Sequence, residues 1–117
     1  MTLVSIVNQV RGALVDSDDL RTKDYKGSPN IYAGHCYVAS EAIYHLAKRA
    51  GIALKPMFIY HKDTPHWYLM DSNRILDSTK EQFADLVNYS KGRGKGFLTK
   101  RPSRRAVELI RRATTNG

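Results

Sequence analysis

The chain has 117 residues and a mass of 13.3 kDa, one domain's worth of polypeptide with ordinary globular composition: 42% apolar and 26% charged. A single cysteine, Cys36, excludes an intrachain disulfide framework, and no apolar run reaches the roughly 18 residues of a membrane span. The net charge of +8 is lopsided, because residues 1–90 hold 10 basic and 10 acidic side chains while residues 91–117 hold nine basic and one acidic.

Leu3, Ile6, Val7, Val10 and Leu14 recur at helical spacing and predict an N-terminal amphipathic helix. Residues 16–30 are polar, carry Gly27 and Pro29, and read as a long loop. From Cys36 the pattern becomes helical again. Ala39, Ala42, Ile43, Leu46, Ala47 and Ala50 form one stripe, and Gly51 stands where a C-cap belongs. Residues 56–60 are apolar on both faces, as in a central strand, and 66–70 are aromatic and β-prone. Residues 71–74 read as a turn, and 75–77 as the returning strand. Residues 79–83 predict a helix start capped by Ser78 or Thr79. Residues 91–100 form a glycine-spaced basic loop, and Pro102 opens a last helix whose Ala106, Leu109, Ile110 and Ala113 share a face. The order predicts an α+β fold, with helices packed on an antiparallel sheet of three or more strands. Residues 1–90 would form the core, and 91–117 would pack a basic loop and helix on the same single domain. A chain this size folds without disulfide or metal support. A free thiol and a start with no basic, apolar leader point to the cytoplasm.

Cys36 follows Gly34 and His35 and opens a helix, where the macrodipole favours a thiolate. His66 and Asp77 supply a base and its orienter if they can meet. With Ser72 and Asn73 at the hairpin tip, paired positions sum to 145, so Asp77 falls opposite Tyr68. His66 then shares its face as a diagonal neighbour, with Cα atoms roughly 7–8 Å apart. A register shift of one residue would separate them. Cysteine on a helix start, histidine on a strand and aspartate on the neighbouring strand make a coherent nucleophilic triad.

Three stretches carry a family resemblance. Gly34-His35-Cys36-Tyr37 resembles the Gly-x-Cys-aromatic start of the transglutaminase-like core, a branch of the papain-like cysteine peptidase superfamily. His66-Trp67 resembles that superfamily's histidine strand, and Ile75-Leu76-Asp77-Ser78-Thr79 its hydrophobic-Leu-Asp-x-Thr strand. The resemblance covers residues 34–79. It implies a small papain-like core, a protein or peptide substrate, no cofactor, and acyl transfer through a cysteine thioester. Cys36 would be the nucleophile, His66 the base and Asp77 the orienter. No upstream side chain is an evident oxyanion donor. Asn30 and Tyr32 are candidates beside the Cys36 backbone N–H, and Trp67 is a candidate substrate platform that would more often serve packing. Residues 34–42 and 96–103 resemble small proteins of tailed bacteriophages, which would place the chain in a host cytoplasm.

A zinc site at His35, Cys36, His61 and His66 is disfavoured, because one cysteine without a Cys-x-x-Cys pair suits structural zinc poorly. His61 is expected to end a strand at the surface, and His45, off the apolar stripe, to be solvated. Lys91, Arg93 and Lys95 alternate with glycines that can aim backbone N–H groups at an anion. Lys100, Arg101, Arg104 and Arg105 continue this surface, with Arg111 and Arg112 further along the last helix. The segment lacks the Gly-Lys-Ser/Thr ending of a P-loop. It suits nucleic acid or an acidic host protein, and a binding protein without enzymatic activity is the alternative reading.

Overall fold

Helix α1 (Leu3–Leu14) starts where the Thr2 hydroxyl accepts the Ser5 N–H at 3.1 Å, and it buries Ile6, Val10, Ala13 and Leu14. A computed structural model describes residues 2–30 and 32–115. Met1 and Ile31, and Asn116 and Gly117 at the end of the basic stretch, lie outside the described residues. The polar segment after α1 contains two single 3₁₀ turns, Asp18–Leu20 and Lys23–Tyr25. Helix α2 (Cys36–Arg49) follows and buries Val38, Ala39, Ala42, Ile43, Leu46 and Ala47. Ala50, placed on the stripe by its spacing, is instead the exposed C-cap. Gly51 takes φ +81°, and the N–H groups of Gly51 and Ile52 reach back to Lys48 and Ala47, which closes a Schellman motif.

Strands β1 (Lys55–His61), β2 (Thr64–Asp71), β3 (Arg74–Leu76) and β4 (Arg93–Gly94) form one antiparallel sheet in the order β3-β2-β1-β4. β1 is flanked on both sides, as its double apolar face predicts. The glycine-spaced basic loop supplies β4, so two of its residues pair with Met57 and Phe58. The β2–β3 register is Leu69↔Leu76, Met70↔Ile75 and Asp71↔Arg74, with Ser72 and Asn73 at the tip.

Helix α3 (Arg104–Thr115) begins two residues after Pro102, because Ser103 caps it. The Ser103 hydroxyl accepts the Ala106 N–H at 3.2 Å and donates to buried Glu41 at 2.7 Å, and the Ser103 N–H donates to the same carboxylate at 2.6 Å. Ala106, Leu109, Ile110 and Ala113 join Ile6, Ile43 and Leu69 in one core. The three helices therefore share their core with β2 of the sheet.

Two local expectations are corrected. Residues 79–83 make one 3₁₀ turn, Lys80–Gln82, after which Phe83 is extended and sets its ring edge-on to His66 at 5.0 Å. The chain cannot continue helically there and still cover the sheet. His45 is buried, not solvated: the Gly96–Lys100 loop folds along it, and Tyr44 stacks edge-on at 5.0 Å. Burial pushes its imidazole below the ordinary histidine range. Among the described residues no helix is long and apolar enough to cross a membrane.

Candidate active site

Cys36 is positioned by the turn that precedes it. Gly34 has φ +77°, and a Cβ there would stand 2.5 Å from Tyr25 Cβ, so both the backbone and the space require glycine. The Gly34 carbonyl accepts the Thr22 N–H at 3.1 Å and the Thr22 hydroxyl at 3.3 Å. His35 is fully buried, with Nε2 at 3.0 Å from the Ser17 carbonyl. Cys36 itself is half-buried in the first turn of α2.

His66 Nε2 donates to Asp77 Oδ2 at 2.6 Å, and both side chains are shut off from solvent. The 145 register brings this about: His66 and Tyr68 stack on one face of β2, and Asp77 follows β3 onto that face. Two residues that the sequence did not single out as site residues complete the carboxylate's shell. The Tyr89 hydroxyl donates to Oδ2 at 2.6 Å, and the Thr79 N–H to Oδ1 at 3.2 Å. Thr79 stood in the Leu-Asp-x-Thr stretch. Tyr89 opens a single 3₁₀ turn, Tyr89–Lys91, with no pattern in the sequence to mark it.

Burial pushes the His66 imidazole down, but the hydrogen bond and charge of Asp77 outweigh it and raise it to about 9. The Cys36 thiol also acts on this ring and favours its charged form. Nδ1 nevertheless makes no hydrogen bond of ordinary length and angle, so the thiol stands beside the imidazole without being bonded to it. Burial, then the Asp77 carboxylate, hold the Tyr89 phenol above the ordinary tyrosine range, which keeps it a donor.

Cys36 opens on a cleft of about 170 Å³ whose walls include Tyr25, Tyr37, Pro65, Trp67 and Gln82. Trp67 is 9% exposed. It lines the cleft and packs against Tyr37, Phe58 and Phe97. Asn30 and Tyr32 are not brought to the cleft. The Asn30 amide donates to the Glu81 carbonyl at 3.0 Å and accepts the Tyr32 N–H at 3.0 Å. The Tyr32 hydroxyl accepts from Arg11 at 2.8 Å, with the guanidinium also over its ring at 4.7 Å. Both residues are held in the seam between α1 and the loop after β3.

The histidines do not converge either. His61 ends β1 and bonds Asp85 at 3.0 Å, His66 bonds Asp77 and His35 the Ser17 carbonyl. Among the described residues no group of three His, Cys, Asp or Glu side chains is arranged to hold a metal ion.

The basic segment divides. Lys91, Arg93, Lys100, Arg101 and Arg104 are exposed and, among the described residues, form no ion pair. Lys95 lies over the rings of Phe58 at 4.4 Å and Trp67 at 5.6 Å. Arg105 donates to the Leu20 carbonyl at 2.8 Å. Arg111 pairs with Glu108, and Arg112 with Glu108 and Asp19. Three arginines counted by sequence as free cationic surface are therefore bonded within the fold. Comparison with protein-family models, with curated proteins and with solved structures finds no match to this chain.

Proposed function

We propose that this chain is a cysteine-dependent acyl-transfer enzyme of the transglutaminase/papain-like kind, acting on an amide, isopeptide or related acyl bond of a protein or peptide. Cys36 is the nucleophile, His66 the acid and base, and Asp77 the group that orients and charges His66. The observation that carries this reading is the buried 2.6 Å His66–Asp77 bond on a ring that the Cys36 thiol also acts on. A buried carboxylate and histidine held only for packing would not need a thiol in the first turn of a helix beside an open cleft.

The reaction begins from a thiolate beside the His66 imidazolium. Sulfur attacks the carbonyl carbon; the S–C bond forms as the carbonyl π pair moves onto oxygen. The N–H groups of the first turn of α2, which a helix start leaves without intrahelical partners, are donors for that oxygen. Collapse restores the carbonyl and breaks the C–N bond, and His66 gives its proton to the departing amine. Neutral His66 then takes a proton from water or a second amine as it attacks the thioester, and Cys36 leaves as thiolate.

The test is acylation by a p-nitrophenyl ester, followed by mass spectrometry of Cys36, together with its rate of alkylation by iodoacetamide. An acyl adduct on Cys36 that turns over, and that Cys36→Ala abolishes while the fold stays intact, is the expected result. No adduct, with alkylation no faster than that of a free thiol, overturns the reading. A second reading rests on Lys91, Arg93, Lys100, Arg101 and Arg104, which are exposed and, among the described residues, form no ion pair: a binding surface for nucleic acid phosphates, separate from the triad.

A further inference from the structure

We infer that Gln82 supplies the side-chain donor of the oxyanion site, so that the carbonyl of an acyl substrate is held between the Gln82 amide and the backbone N–H of Cys36. The inference rests on the acyl-transfer reading and adds to it a residue that sequence order did not suggest. An acyl-transfer centre needs two or so fixed donors at the developing oxyanion. The backbone N–H at the start of α2 is one, and the upstream candidates Asn30 and Tyr32 are committed elsewhere.

Gln82 and Cys36 line the same cleft. Its amide is also oriented, because the Thr79 hydroxyl donates to Gln82 Oε1 at 3.3 Å, and the Gln82 N–H donates to the Thr79 carbonyl at 3.0 Å. With the amide oxygen bonded to Thr79, the NH₂ group has its two donors directed away from Thr79. Among the described residues no hydrogen bond uses them. Thr79 in turn donates its N–H to Asp77 Oδ1 and is almost completely buried. His66, Asp77, Thr79 and Gln82 thus form one bonded chain, which ties the donor to the same frame as the acid and base. The single 3₁₀ turn at Lys80–Gln82 holds residue 82 beside Thr79, and the chain is extended from Phe83 on.

The experiment measures p-nitrophenyl ester acylation and iodoacetamide alkylation in parallel, for the wild type, Gln82→Ala and Gln82→Met, with thermal unfolding as a check on the fold. Alkylation displaces iodide at a saturated carbon and develops no oxyanion, so it reports the thiol alone. Loss of one such donor costs about 100-fold or more in kcat. Both variants should therefore acylate at least that much more slowly, at similar KM, while alkylation is unchanged. Unchanged acylation in both variants overturns the role of Gln82 and leaves the triad standing. A parallel fall in acylation and alkylation overturns it too, since Gln82 would then act on the thiol. No acylation in the wild type overturns the acyl-transfer reading itself.

Discussion

Asp77 Oδ2 accepts two short hydrogen bonds, one from His66 and one from Tyr89, both at 2.6 Å. The two donors compete for the same charge. Tyr89→Phe removes one of them, so the carboxylate acts more fully on His66, and the imidazole should titrate still higher than about 9. NMR titration of the ring measures this directly; a downward movement would show that Tyr89 supports the pair instead of sharing its charge. Stability carries a related signature. A folded-state value raised above the free imidazole's 6.5 stabilises the fold fully below 6.5, and that contribution is lost as pH climbs through about 9. The urea midpoint of the wild type should fall over this window, and His66→Gln should lack the fall. Tyr89 was not legible because nothing in the sequence says where a single 3₁₀ turn meets a carboxylate. His66 and Asp77 were legible because a hairpin converts spacing into geometry: once the tip is fixed, faces follow with period two.

At the level of elements, the turns that fix the register are the features to perturb. Lys62 and Asp63, the β1–β2 tip, have φ of 49° and 65°, the left-handed pair that a two-residue hairpin needs and that Asn-Gly meets best. Asp63→Gly removes strain at an exposed position and should raise stability by about 0.5 kcal/mol; a lower melting temperature would place the strain elsewhere. Gly34→Ala should do the reverse, since it meets Tyr25 in a left-handed conformation two residues before Cys36. It should lower both melting temperature and the alkylation rate of Cys36. Leu46, 5% exposed on the inner stripe of α2, tests the helix face: Leu46→Ala should cost about 2–5 kcal/mol in denaturant unfolding. Periodicity made these stripes readable, since apolar side chains at helical spacing have one place to go. It failed at His45, because a stripe records what its own helix buries and not what a distant loop lays over it. It failed again at residues 79–83, where capping chemistry resembled a helix start but the chain makes one 3₁₀ turn and is extended from Phe83.

Over the whole molecule, the charge excess resolves into cations that hold the fold together and cations that face outward. Arg112 bridges α3 to Asp19 through two hydrogen bonds at 2.8 Å, and Arg105 ties the same helix to the Leu20 carbonyl. These link the last helix to the loop after the first, and they offer little to a partner. Lys91, Arg93, Lys100, Arg101 and Arg104 have no such duties and lie within 14 residues of one another along the chain. If this group contacts nucleic acid, phosphates take the contacts, so binding falls steeply with salt and is nearly blind to sequence. Replacing Arg93, Lys100, Arg101 and Arg104 with glutamine should lower the log–log salt slope by about 0.7–0.9 for each phosphate contact removed. Arg112→Gln is the contrasting variant: it should lower the melting temperature and leave the slope unchanged. The measurement is a salt titration of single- and double-stranded oligonucleotide affinity for the three proteins. Equal slopes in the wild type and the fourfold variant would sink the nucleic-acid role. The exposed cations would then serve solubility or an acidic protein, and the acyl transfer proposed for Cys36 would be untouched, because none of the four residues lines its cleft.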